Sequence, residues 1–424
     1  MGVKPTRNLC DVAHVTVAVA VLVLSAGCVR EPGSHGVRLD SRGVYALLDV
    51  MDTVAALHPG FEERQAELVT LPEAERAEAL HAARQRNEES PSLDSAIRTL
   101  LASETYRIYF DRFPNLSPGV FRDLVLDLPF QHRPAPGGMG QTLYDLVRRR
   151  DHVRRALERF TAGLDMDRVY ETAVRWSPDR PVPAMTMFLI YDSNAGSFTA
   201  EGKPFYNVYG SREFERLVTD SLPLAFDAVE GVMAHELQHV LAEPVLYPDS
   251  APAQSWQQEW VDRITRAMVG EGVANHCNPP TGAKREVYED ERVVADLVRR
   301  LNEAFEAVEQ GRMTEADMTR WSRENYGAHA ERLLREHLEQ RYDGDALERR
   351  MRELMPVRPD LEHALGWWMV SRVTAATSGN TEEVARALLS DPRSLYARYN
   401  DAVAGQPDVQ VSATVLALAS RGAR

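Results

Sequence analysis

The stretch Gly231-Val-Met-Ala-His235-Glu236-Leu237-Gln238-His239-Val240 restricts the fold of this chain more than any other. Histidines four apart stand one turn above each other on a helix, so a helical conformation brings both imidazoles to one point. Phe226, Val229, Val232 and Met233 lead into the motif, and Leu237 and Val240 can anchor its other face. These residues predict a buried helix that begins near Pro223, a residue tolerated in a first helical turn. At HExxH spacing the two imidazoles can share one zinc ion, with Glu236 placed as general base. The pentapeptide arises by chance in roughly three chains in a hundred of this length and composition. Its apolar context is therefore what separates it from two histidines satisfied within a core.

A catalytic zinc site takes a third protein ligand and leaves a fourth position for water. Two glutamates follow the motif: Glu259 in Gln257-Gln-Glu259-Trp, and Glu271 in Met268-Val-Gly-Glu271-Gly-Val-Ala-Asn275. On one continuous helix they stand about 120° apart, so both are not expected to face the same ion. Gly270 and Gly272 flank Glu271 without side chains that would hold its helix away.

Around this segment the chain reads as α+β and predominantly helical. From about Ser41 to Tyr170 the patterning is helical, with Val44, Leu47, Leu48 and Met51 on one face and Leu143, Leu146, Val147, Val153, Leu157 and Phe160 on another. Breaks are expected at Leu71-Pro72, at Ser90-Pro91 and between Pro134 and Gly140. The apolar run Met185–Tyr191 and the segment Phe205–Tyr209 predict a small antiparallel sheet. Pro244 to Pro252 reads as a loop, and most of the remainder returns to helical patterning. The expected organisation is a linker over residues 28–40, a helical N-terminal region over residues 41–170 and a region carrying the histidine motif over residues 171–424.

The first residues read as an export signal: Lys4 and Arg7, an apolar run from about Val12 to Leu24, then Ser25-Ala26-Gly27-Cys28. Small residues before a cysteine resemble the lipobox of bacterial lipoproteins. The resemblance implies removal of residues 1–27 and a lipid anchor on Cys28, with an unanchored secreted or periplasmic protein as the alternative. Cys10 is then lost and Cys277 is left alone, so no intramolecular disulfide is expected. A net charge of -14, from 63 acidic against 49 basic residues, argues against a nucleic-acid partner, because phosphate binding needs clustered positive charge.

The motif set resembles the gluzincins, and within them a bacterial family of zinc-dependent peptidases that carry HExxH followed by a Gly-Glu-Gly-x-Ala segment. Gly270-Glu271-Gly-Val-Ala274 matches that segment. The family's later block, Tyr-Pro-x-Gly-aromatic-aromatic-Met, corresponds to His363-Ala-Leu-Gly366-Trp367-Trp368-Met369, and its Tyr-Asn-x-Ala ending to Tyr399-Asn400-Asp-Ala402. The resemblance runs from about Ser221 to Ala402 and implies a gluzincin-like catalytic core with Zn2+ held by His235, His239 and Glu271. Glu259 keeps the spacing of thermolysin-like enzymes and is the competing ligand. Asn275 stands where several gluzincins have an Asp that orients a ligand histidine.

The reaction implied is hydrolysis of a peptide or protein substrate by water, with Glu236 as base. His363 is the candidate donor to the developing oxyanion, ahead of Tyr326 and His329. Asn194-Ala195 is similar to the substrate-binding edge strand of thermolysin-like enzymes. The alternative is a catalytically inactive metal-binding or scaffold lipoprotein, and the intact Glu236 favours the enzyme.

Overall fold

The structure is a computed structural model that describes residues 36–130, 138–179, 184–193, 196–221, 225–248, 255–354, 359–377 and 380–421. The export signal, Cys28 and Asn194-Ala195 lie outside the described residues, as does the side chain of Tyr326. The chain divides into two compact units, Met1–Asp167 with Pro183–Met233, and Arg168–Val182 with Ala234–Arg424. The fold is mostly helical with one small sheet, in keeping with the α+β reading.

In the first unit the two apolar stripes read from the sequence become the core faces of two helices. Val44, Leu47, Leu48 and Met51 of helix Arg42–Leu57 are fully buried, and so are Leu143, Leu146, Val147, Val153, Leu157 and Phe160 of helix Met139–Gly163. Each such side chain contributes about 1.5–3 kcal/mol when withdrawn from water. The breaks at Leu71-Pro72 and Ser90-Pro91 fall where expected, and most of the third, Pro134 to Gly140, lies outside the described residues. Helix Phe61–Thr70 stops before Leu71-Pro72, and Ser90 caps helix Pro91–Ala102 by accepting from the Leu93 amide at 3.2 Å.

The sheet corrects the antiparallel expectation. It has four strands, β1 (Val37–Asp40), β2 (Met185–Ile190), β3 (Phe198–Ala200) and β4 (Lys203–Asn207), in the order β1-β2-β4-β3. β1 pairs parallel with β2, and β2 parallel with β4; the β3–β4 pair alone is antiparallel. After β2 the chain crosses to the far edge, runs back as β3, and turns through Glu201 (φ 50) and Gly202 (φ 64) into β4. Two consecutive positive φ values suit a tight hairpin turn. β4 thereby enters beside β2 in the same direction, and stacked Phe188–Phe205 and Phe198–Phe205 pairs tie the three strands together. β1 replaces the last part of the expected linker over residues 28–40.

The second unit is built around helix Trp256–Ala274, whose buried residues include Val261, Ile264, Met268, Val269 and Val273. Ser255 caps its start by accepting from the Gln258 amide. Against it packs helix Gly366–Ala376 with Trp368, Met369, Val370 and Val373. Tyr399 secures that helix, accepting from Trp368 Nε1 at 3.1 Å and donating to the Val409 carbonyl at 2.9 Å. Asn400 brackets both backbone groups of Val411 at 2.9 Å. The Tyr399-Asn400 motif is thus a packing device.

Candidate metal centre

Helix Asp227–Leu246 carries the histidine motif; residues 222–224, where its start was expected, are outside the described residues. It continues through Pro244 to Leu246, which shortens the expected Pro244–Pro252 loop. A proline in the last turn removes one backbone hydrogen bond near an end that frays anyway. Leu237, Leu241 and Ala242 are buried, so the apolar face fixes the rotation of the helix and with it the direction of His235 and His239.

Three donor residues meet there. His235 Nε2 and His239 Nε2 are 3.0 Å apart, Glu271 Oε2 is 3.3 Å from the first, and Glu271 Oε1 is 3.4 Å from the second. Ligand atoms at about 2.0–2.1 Å from a tetrahedral zinc are about 3.3 Å from one another, so this spacing fits the ion. Glu271 Oε2 is buried without a hydrogen-bond partner, a cost that a cation would remove. Among the described residues these three form a group able to hold a metal.

Glu259 is not part of it. Helix Trp256–Ala274 is continuous through both glutamates, Glu259 lies exposed in its first turn, and Glu271 lies in its last. The glycines around Glu271 act differently from the sequence reading. A Cβ on Gly272 would stand 2.5 Å from the Gly366 carbonyl oxygen, and one on Gly366 would strike the Met268 carbonyl. The pair lets two helix backbones touch, whereas a Cβ on Gly270 would meet only the Leu246 Cδ1 at 3.3 Å. Gly272 therefore sets the approach to the segment that carries His363.

That segment is the π-helical turn Leu361–Leu365, a conformation common at functional sites. Fully buried Asp360 caps it, accepting from the Glu362 amide at 3.0 Å and the His363 amide at 2.8 Å. The same carboxylate holds His363 Nδ1 at 3.1 Å, while His363 Nε2 lies 3.7 Å from Glu271 Oε2. The structure therefore brings His363 beside the other three residues. His329 is elsewhere employed, with Nε2 3.2 Å from Asp296 and Nδ1 3.1 Å from Arg332. Asp360 had no sequence signal beyond its being three residues before His363. Asn275 donates its side-chain amide to the Glu271 carbonyl at 2.8 Å and so closes its own helix end.

The electrostatics follow from burial and crowding. Burial pushes Glu236 up to about 7, with Glu271 adding to the shift and His239 and His363 opposing it. Burial depresses His235 to about 4. For His239 burial opposes the charge, but Glu271 outweighs it and the proton affinity rises. Burial likewise works against charge on His363, yet Glu271 and Asp360 push it up to about 9. Glu271, despite its own burial, is held well below the usual carboxylate range by His363 and His239. The cluster is thus a buried anion facing imidazoles, a charge pattern that suits a divalent cation.

Neither the curated proteins nor the solved structures contain a significant match to this chain. One family match covers residues 67–406, reaching back into the N-terminal helices where the motifs gave nothing specific. Zinc is the metal of that family's description, in agreement with the His-His-Glu donor set. With most of its length matched, the chain belongs to the family described as "Putative zinc dependent peptidase (DUF5700)".

Proposed function

We propose that this chain hydrolyses peptide bonds at the bacterial cell envelope, with zinc held by His235, His239 and Glu271. The observation that carries the reading is the convergence of donor atoms from three residues at 3.0, 3.3 and 3.4 Å. When bound, zinc supplies a Lewis acid that brings the pKa of water toward neutrality and polarises a carbonyl. Glu236, buried beside the cluster, takes a proton from the attacking water and returns it to the leaving amine. Burial raises the proton affinity of this carboxylate, which favours its return of the proton to the leaving amine. His363 donates from Nε2 to the carbonyl oxygen as it gains charge, and Asp360 at Nδ1 fixes the ring in the orientation that allows this. A gluzincin-like core accounts for the shared HExxH and Gly-Glu-Gly-x-Ala segments. Acylated Cys28 anchors the protein in the membrane, and mass spectrometry of the mature form should find the lipidated N-terminus at that residue.

The test is metal content and hydrolysis of a peptide library by the full mature chain and by Glu236→Gln. One zinc per chain in both proteins is expected, with cleavage reduced about 10²–10⁴-fold in the variant. Wild-type cleavage by the zinc-loaded variant would refute the role of Glu236. Zinc without cleavage in the parent protein would leave an inactive metal-binding lipoprotein.

A further inference from the structure

The first unit holds a cavity of about 320 Å³, walled largely by helices Phe61–Thr70 and Glu73–Glu88. That volume is within the usual range for a small-molecule site. These helices hide little of themselves: the first buries only Phe61 and the second only Asn87. A helix of a packed core normally hides a whole apolar stripe. Here the stripes line the cavity instead. Arg64, Glu67, Leu68 and Leu71 keep the spacing of one helix face, and so do Ala79, Ala82, Ala83 and Arg86 on the returning helix.

The cavity is apolar at one end and basic at the other. Leu68, Leu71 and Ala79 lie beside the Leu71-Pro72 connection, whereas Arg64 is in the first turn of its helix and Arg86 in the last turn of its own, both away from it. His58 and Phe130 close the basic end, their rings edge-on at 5.3 Å. Asn87 gives its amide hydrogens to the Leu126 and Leu128 carbonyls at 3.0 and 2.7 Å, so its Oδ1 accepts from His58 Nε2 at 2.9 Å. Burial lowers the proton affinity of His58; Asn87 opposes this, and Arg86 and Arg64 add to it. The positive charge therefore belongs to the two guanidiniums. Among the described residues neither has an ion pair, and Arg86 Nη1 donates to the Leu57 carbonyl at 3.4 Å.

Two unpaired guanidiniums match a carboxylate or a phosphate. Glu67, the one acid in the lining, leaves the wall with a net positive charge. Between the ends the alanines leave a channel free of bulky side chains, and each stripe runs about 10 Å over its seven-residue span. We propose that this cavity binds a single-chain anionic amphiphile, with an unbranched alkyl chain along the alanines and a carboxylate or phosphate head held by Arg64 and Arg86. The site is separate from the metal centre and does not rest on the peptidase reading.

The probes are octanoate, octyl phosphate, octanol, octylamine and free leucine, each titrated by calorimetry below any micellar concentration into the zinc-loaded full chain. One of the two anions should bind at one site per chain, about ten- to a hundred-fold more tightly than octanol. Preference for octanoate identifies a carboxylate head, and preference for octyl phosphate a phosphate head. Arg64→Gln combined with Arg86→Gln should bring the anion down to the level of octanol. Ala83→Leu should weaken anion and alcohol alike by about tenfold or more, because it fills the channel and leaves the head group's partners in place. Ala79→Leu serves the same purpose if thermal unfolding shows that the first variant does not fold. Absent binding of both anions, octylamine or leucine binding more tightly than either, or an anion preference that survives the double variant overturns the proposal.

Discussion

Among the described residues of the second unit, two helices each carry a pair of histidines, and only one pair gathers donors around a common point. On helix Ala328–Leu338, His337 Nδ1 meets Asp290 at 2.7 Å and His329 meets Asp296 at 3.2 Å, one imidazole to one carboxylate. On the HExxH helix both imidazoles face each other and share the one carboxylate of Glu271. Burial and a nearby acid are common to both. What distinguishes a metal centre is convergence, with more donors than proton-sharing pairs can satisfy.

The sharpest way to break the comparison is to remove one histidine from each place. His239→Ala should weaken zinc binding by more than the roughly 10–100-fold that loss of a supporting hydrogen bond costs. His337→Ala should leave zinc affinity unchanged and instead lower stability by about 1–3 kcal/mol, because Asp290 loses its buried partner. Chelator competition and thermal unfolding on the same two variants read both effects. Zinc loss in the His337 variant alone would reverse the assignment.

His363 belongs to the first place by position and should differ from His239 in what it affects. His363→Phe is expected to lower kcat about 10²–10³-fold while zinc stays bound, as for loss of a donor to a developing oxyanion. Equal kcat in the two proteins would show that the ring does not touch the reacting carbonyl, and zinc loss would make it a ligand.

Much of this was legible in the sequence because it is local. Histidine spacing, the core stripes of helices Arg42–Leu57 and Met139–Gly163, and the proline breaks all depend on neighbours within a turn or two. β1 was missed because it is four residues long and its partner is Met185–Phe188, far along the chain. The parallel β2–β4 pair was missed because a short link between strands suggests a simple hairpin, and β3 at the edge changes the direction. Asp360 was missed because a buried cap of a π-helical turn has no periodicity to reveal it. Glu271 could be preferred to Glu259 from its Gly-Glu-Gly setting, although Gly272 serves contact with Gly366 rather than approach to a metal.

The glycines offer a smaller test of the same distinction between contact and clearance. Gly272→Ala forces a Cβ against a carbonyl oxygen that belongs to the opposing backbone and should cost about 1–3 kcal/mol. Gly270→Ala meets only the end of Leu246, and the helix gains about 0.5–1 kcal/mol from losing a glycine, so its stability should be nearly unchanged. Denaturant unfolding of both variants decides this, and equal losses would mean that the helix crossing is looser than Gly272 and Gly366 imply.

Zinc affinity of Glu259→Ala and Glu271→Ala, measured side by side by competition with a chelator on folded protein, tests the metal centre most directly. The two glutamates share one helix, so a general disturbance of that helix would act on both variants. Affinity should fall markedly in the Glu271 variant and stay at the parental value in the Glu259 variant. Loss confined to Glu259→Ala, or to neither, would contradict a site closed by His235, His239 and Glu271.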